Sequence, residues 1–432
     1  MESPVPPPLG TLPPPLPPLT EAAGGEAMPP ILPGIEALSP RLVPPVLAPA
    51  PGRRGRISVT VYAALGLLLL AAGLGTVVPG ELGEFFQGSW EVVLFAALCV
   101  LAYLGVERRW ARVLAGVLLG VLLLLAVGLN TTFSWLAIAG EPITNPPRQS
   151  LPPGGAALLA WIAAATLLAA LSALLAWLPG FRRLCTPLTG NAEWTSVRTL
   201  ALAVVVSFTL VACVPLLALG EPPMLLFLES SDAAASLLAD ARGAAGMLRD
   251  QMYTLSWTLV AATLAVGHGI RRNGRETLSR LGLRRVSIKQ VGVAVLLTAA
   301  LLGMMHVADL GITQVWQHFG WRMTDGRALE ALFDPFISPL GAVVIGICAG
   351  VGEEVAVRGI LQPRLGILLP NLLFTALHAY QYNWDGLLAV FLIGLVLGLI
   401  RKRTSTTVSA MVHGGYDFVL VILAVLESGS GG

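Results

Sequence analysis

Long apolar runs separated by short polar stretches set the pattern of this chain from Ile57 onward. A helix needs roughly 20 apolar residues to cross a hydrocarbon core. Runs near that length fall at Ile57 to Val78, Val92 to Val106, Val113 to Leu129, Ala156 to Leu178 and Leu200 to Leu219. Six more follow, at Tyr253 to Ile270, Val291 to Ala308, Ser338 to Leu361, Ile367 to Tyr380, Leu387 to Ile400 and Val408 to Leu426. The pattern predicts an all-α, polytopic transmembrane bundle of about 11 spans. Glycines four apart, Gly116 with Gly120, Gly346 with Gly350 and Gly394 with Gly398, are placed to let helices approach closely. No internal repeat is visible, so the inverted halves of many transporters do not show.

Residues 1–56 have a different texture. More than half of the 32 prolines lie between Ser3 and Gly52, with few aromatics and little charge. Such a segment cannot bury a core and is expected to be a disordered or polyproline II arm. A solvated tether is the simpler expectation, and docking of the arm into an aromatic-lined groove of a partner is the functional alternative. The arm lacks the basic start, apolar stretch and cleavage site of a secretory signal, so the first span is expected to act as an uncleaved anchor.

Basic clusters at Arg53 to Arg56, Arg108 to Arg112, Arg182-Arg183, Arg271 to Arg285, Arg358 to Arg364 and Arg401-Lys402-Arg403 fall in alternate loops. The positive-inside rule therefore predicts that these loops and the N-terminus are cytoplasmic. Glu81, Glu84, Glu221, Glu229, Asp232, Asp240, Glu330 and Asp385 fall in the intervening loops, a milder acidic bias that agrees. Composition reinforces the membrane assignment: 55% of the 432 residues are hydrophobic and 12% charged, half the charge of an ordinary soluble domain. A net charge of +2 gives no reason to expect a nucleic-acid partner. Cys99, Cys185, Cys213 and Cys348 are scattered and read as small core hydrophobes. The alanine- and leucine-rich composition fits a multi-pass protein of a bacterial inner membrane.

Ionisable residues inside a span cost roughly 2.5 to 3.5 kcal/mol each on insertion scales, so they mark the first place to look for a site. They concentrate in the last third of the chain. Glu353 and Glu354 precede Arg358 in an apolar helix, and Glu354 and Arg358, four apart, can pair across one turn. Glu353 points about 100° away without such a partner, which leaves it free for general acid or base work. His378 falls in the next run, and His413 and Asp417 share a helical face in the last. Counting about 1.5 Å of rise per residue from the cytoplasmic helix ends puts Glu353 about 12 Å deep, His378 about 16 Å and His413 about 8 Å. These depths are compatible with one intramembrane pocket. His268, His306 and His318 are read as interhelical hydrogen bonders and left out of it.

Glu353-Glu354 with Arg358, Phe374 with His378, and His413 with Asp417, in this order on successive helices, resemble the motifs of the CAAX protease and bacteriocin-processing (CPBP) intramembrane proteases. That family includes the eukaryotic CAAX prenyl endopeptidases and bacterial Abi proteins. Leu281-Gly282-Leu283-Arg284-Arg285 also resembles the usual lead into this core. The resemblance covers the last third of the chain. It implies a protease core over residues 286–427, with 57–285 as accessory spans whose role it does not address. By the same resemblance Glu353 activates water, helped by His378, while His413 and Asp417 face the oxyanion of the scissile carbonyl. Glu354, Arg358 and Phe374 are supporting residues, and the substrate is a membrane-associated protein or peptide. Asp417 departs from the asparagine of better-known members. An ionised carboxylate repels an oxyanion, so Asp417 helps only if protonated or if it orients His413.

The family is often classed as metalloproteases, and Glu353, His378 and His413 could serve as zinc ligands. No His-Glu-x-x-His helix is present, and glutamate-histidine catalysis needs no ion, so a reaction without a cofactor is the expectation. The main alternative is a transporter or channel with Glu353, Glu354, His378 and Asp417 as an ion or proton relay. A silent scaffold acting through the proline-rich arm is the third reading. An aspartyl protease lacks a Gly-x-Gly-Asp partner, and a serine hydrolase lacks its Gly-x-Ser-x-Gly elbow.

Overall fold

The computed structural model describes residues 59–139, 151–190, 193–230 and 243–430. The proline-rich arm and Arg53 to Arg56 lie outside the described residues, as do Asp232 and Asp240. The described chain is helical. Its first half holds α1 (Val59–Val77), α2 (Gly80–Gln87), α3 (Trp90–Leu104), α4 (Arg109–Ala139), α5 (Gly155–Leu171), α6 (Pro179–Thr189), α7 (Ser196–Leu219) and α8 (Pro223–Ser230). The second half holds α9 (Gly243–Ala265), α10 (Gly274–Leu281), α11 (Ile288–Phe319), α12 (Gly326–Phe333), α13 (Pro339–Leu365), α14 (Leu368–Leu377), α15 (Trp384–Arg403) and α16 (Thr406–Ser430).

Eight stretches among the described residues are long and apolar enough to cross a membrane: Gly80–Leu104, α4, Gly155–Trp177, α7, α11, α13, α15 and α16. The other three expected spans also coincide with helices. The apolar part of α1 is the shorter stretch Val61–Val77, and α9 carries Arg249 and Asp250 in its first turns. The third, α14, has ten residues, about 15 Å of rise against a core of about 30 Å. It is a half-helix, and its chain continues as the turn His378–Tyr380. Non-helical backbone at membrane depth is tolerated where protein surrounds it, and Ala379 is 1% exposed.

Apolar side chains join helices of the first half to the C-terminal ones. Leu365 of α13 and Leu373 of α14 pack into the cluster that holds Leu119, Ile162, Leu202 and Val205. Leu301 of α11, Leu397 of α15 and Val408 and Val412 of α16 form a second cluster. Val355 of α13 meets Ala262 and Leu281 in a third. Between α13 and α14 the chain reverses at Gly366, whose φ of +75° is a left-handed conformation that favours glycine.

The decisive contact is backbone on backbone. A Cβ added to Gly346 would stand 2.7 Å from the Gly414 carbonyl oxygen, and one on Gly350 would stand 2.7 Å from the Ala410 carbonyl oxygen. So α13 and α16 cross at a separation that only hydrogen side chains permit. Gly394 and Gly398 likewise face Asn371 and Ile367 closely, whereas Gly116 and Gly120 look into open space and make no such approach. Two charges counted with the loops are buried, Arg358 in keeping with its expected pairing with Glu354. Arg358 is 1% exposed, and Asp385 is buried at the start of α15, where it accepts from the Thr324 amide at 3.0 Å and the Thr324 hydroxyl at 2.8 Å.

Gly350→Leu should therefore lower the stability of the micelle-solubilised protein by about 1 to 3 kcal/mol, as overpacking does. Gly116→Ala should leave it unchanged or up to about 1 kcal/mol more stable. Denaturant unfolding of the two variants checks both outcomes.

Candidate active site

The middle of α13, Cys348–Leu361, is wound as a π-helix, whose hydrogen bonds span five residues and which recurs at functional sites. Both adjacent glutamates sit on it, and their environments differ. The Glu354 side chain is 0% exposed and that of Glu353 is 40% exposed. An unpaired carboxylate buried this deeply costs several kcal/mol, and Glu354 is met on every side. Arg358 Nη1 lies 2.9 Å from its Oε1, His413 Nδ1 lies 3.2 Å from the same oxygen, and the Ser409 hydroxyl donates to Oε2 at 2.5 Å.

Arg358 extends the arrangement. Its Nη1 reaches Glu354 at ion-pair distance but not in the direction of a hydrogen bond, whereas Nη2 donates to the Gly394 carbonyl at 3.0 Å. The guanidinium lies 4.5 Å from the centre of the Phe374 ring, a cation–π contact. Phe374 in turn stands edge-on to His378 at 4.8 Å and to His413 at 6.2 Å between ring centres.

Two hydrogen bonds set the imidazoles. A carbonyl only accepts, so the 2.8 Å contact of His378 Nδ1 with the Phe374 carbonyl oxygen puts a proton on Nδ1 and leaves Nε2 of the neutral ring as an acceptor. An ionised carboxylate also only accepts, so His413 Nδ1 carries a proton toward Glu354. His413 Nε2 then faces the other two acids, 3.9 Å from Glu353 Oε2 and 3.5 Å from Asp417 Oδ2.

Of the residues expected to converge, Glu353, Glu354, Arg358, His413 and Asp417 meet around one imidazole and one carboxylate. His378 joins them through Phe374, and among the described residues no hydrogen bond or ion pair links it to Glu353. No group of three His, Cys, Asp or Glu side chains among the described residues stands close enough to hold a metal ion, so Glu353, His378 and His413 as placed do not form a ligand set.

Two residues escaped sequence reasoning. Ser409 lies one turn before His413 on the same helical face, and that spacing was a usable signal. Asn371, 2% exposed, donates to the Phe391 carbonyl at 2.9 Å and fills the space beside Gly394. An asparagine in an apolar half-helix is the only hint of it. The excluded His268 lies in the turn after α9, outside a helix, with Nδ1 3.0 Å from the Thr277 hydroxyl of α10.

Residues 335–419 match the family model described as type II CAAX prenyl endopeptidase Rce1-like. The matched stretch contains all seven residues named from the motifs and is similar to the CAAX and CPBP proteases. No curated protein and no solved structure matches the chain significantly.

Removing one member of a buried ion pair typically costs about 3 to 5 kcal/mol, because the partner's charge is left behind. Glu354→Ala should show a loss of that order in denaturant unfolding, and adding Arg358→Met should recover part of it. Glu353→Gln, at the half-exposed position, should unfold within about 0.5 kcal/mol of the wild type.

Proposed function

We propose that this chain is an intramembrane endopeptidase that hydrolyses a peptide bond of a membrane-associated protein or peptide, with Glu353 activating the attacking water. The carrying observation is the unequal treatment of two neighbouring carboxylates that share one histidine. Glu354 is locked by Arg358, Ser409 and His413. Glu353 keeps an accessible side chain beside the outer nitrogen of the same ring.

In this reading Glu353 takes a proton from water, and the water oxygen bonds to the scissile carbonyl carbon. His378, with its proton held on the Phe374 carbonyl, offers the Nε2 lone pair to the second water proton. The carbonyl oxygen becomes the oxyanion, and His413, as the imidazolium anchored on Glu354, directs an N–H of Nε2 toward it. Glu353 then passes its proton to the leaving amine as the C–N bond breaks. No acyl-enzyme forms. The 3.5 Å approach of Asp417 to His413 Nε2 supports an orienting role for this acid in place of direct contact with the oxyanion. The proposed reaction uses no metal. Similarity of the last third to a CAAX endopeptidase family supports the reaction class, and the bilayer supplies the setting in which such a substrate is presented.

Peptide profiling of membranes expressing the wild type and Glu353→Ala tests the proposal. Products present with the wild type should fall by roughly 10²- to 10⁴-fold in the variant, survive a chelator, and persist with Asp417→Asn. An unchanged peptide profile together with loss of a proton or ion flux would replace the protease by a transporter.

A further inference from the structure

Away from the acids, three arginines from separate segments gather at the end of α3: Arg272 before α10, Arg280 within α10 and Arg364 at the end of α13. The Tyr103 hydroxyl accepts from Arg364 Nη2 at 2.7 Å and from Arg272 Nη1 at 3.2 Å, so one oxygen holds two guanidiniums together. Arg364 Nη2 also donates to the Ala265 carbonyl at 2.9 Å, and Arg280 Nη1 donates to the Gly359 carbonyl at 2.8 Å. Arg272 further donates to the Val266 carbonyl and Arg364 to that of Ile360.

Every one of these partners is a neutral oxygen. Among the described residues no carboxylate pairs with any of the three, and Glu107, just beyond α3, is taken by Arg271 at 2.8 Å. Burial and the neighbouring Arg364 hold the Arg280 guanidinium well below the ordinary arginine range, Tyr103 opposes this, and Arg272 and Arg401 add to it. Capping the carbonyls at the ends of α9 and of the π-helical segment accounts for one or two donors on each arginine. It does not account for collecting like charges around a single hydroxyl, which repel one another unless an anion joins them.

We propose that Arg272, Arg280 and Arg364 form a binding site for a phosphate group, supplied by the headgroup of an anionic phospholipid. A guanidinium presents five donors in a planar fork that matches phosphate geometry, and Arg272 and Arg364 are half-buried, with donors to spare. The cluster sits where α3 and α13 end, at headgroup level for helices that span the core, and basic pockets between helix ends are suited to lipid headgroups. The site is independent of the hydrolytic reading.

The test uses the full chain in nanodiscs of phosphatidylcholine with and without phosphatidylglycerol. The anionic lipid should raise the unfolding midpoint of the wild type, and an unchanged midpoint overturns the proposal whatever the variants do. In native mass spectrometry, Arg272→Gln with Arg364→Gln should weaken phosphatidylglycerol retention by roughly tenfold or more. Lys402→Gln with Arg403→Gln, exposed charges outside the cluster, should leave retention unchanged, and an equal loss from both pairs would reduce the effect to general surface charge and overturn it. Millimolar inorganic phosphate should not displace the lipid, and full displacement would reassign the site to the free anion.

Discussion

A carboxylate that is fully removed from water inside a lipid-embedded bundle has to be neutralised where it stands, and Glu354 imposes that requirement on everything around it. Arg358, on the same helix, supplies the charge. Ser409 and His413 of α16 each contribute a hydrogen bond, one to either carboxylate oxygen. Because Arg358 also bonds the Gly394 carbonyl of α15 and stacks over Phe374 of α14, one buried charge engages four helices. A change in the spacing of any of them would leave a charge or a donor unsatisfied in low dielectric.

Such short distances need backbones in contact. The crossing of α13 on α16 at Gly346, Gly350 and Gly414 provides this, and Gly414 is the residue after His413. The same approach that seats the helices thus carries the imidazole up to Glu354. The π winding of Cys348–Leu361 acts from the other side. It keeps Glu354 turned toward α16 while its neighbour Glu353 stays half-exposed.

Much of this was legible in the sequence because hydrocarbon makes polar residues conspicuous. Each expected apolar run coincides with a helix, and Glu353, Glu354, His413 and Asp417 stood out as costly residues in cheap surroundings. Four features were not legible, for separate physical reasons. Nothing in the composition of Ile367 to Tyr380 says that the helix stops after ten residues, since apolar residues serve a half-helix as well as a full one. A π-helix has no residue signature comparable to a cap. Arg358 was legible as the partner of Glu354, but its bond to the Gly394 carbonyl and its place over Phe374 were not, because both partners lie on other helices. Finally, glycines four apart permit contact without requiring it, as Gly116 and Gly120 show beside Gly346 and Gly350.

The division between the two glutamates rests on His413. Its inner nitrogen is spent on the anchored acid at 3.2 Å. Its outer nitrogen stands 3.9 Å from the accessible one, too far for a direct hydrogen bond and a separation at which a bridging water is the natural link. For the proposed reaction, a shorter contact would close Glu353 into an ion pair and remove its capacity to take a proton from water. A longer one would uncouple it from the ring. Glu354 therefore does more than tolerate burial: by holding Nδ1 it fixes the plane and tilt of the imidazole, and so sets the gap between the outer nitrogen and Glu353 on which the proposed reaction depends.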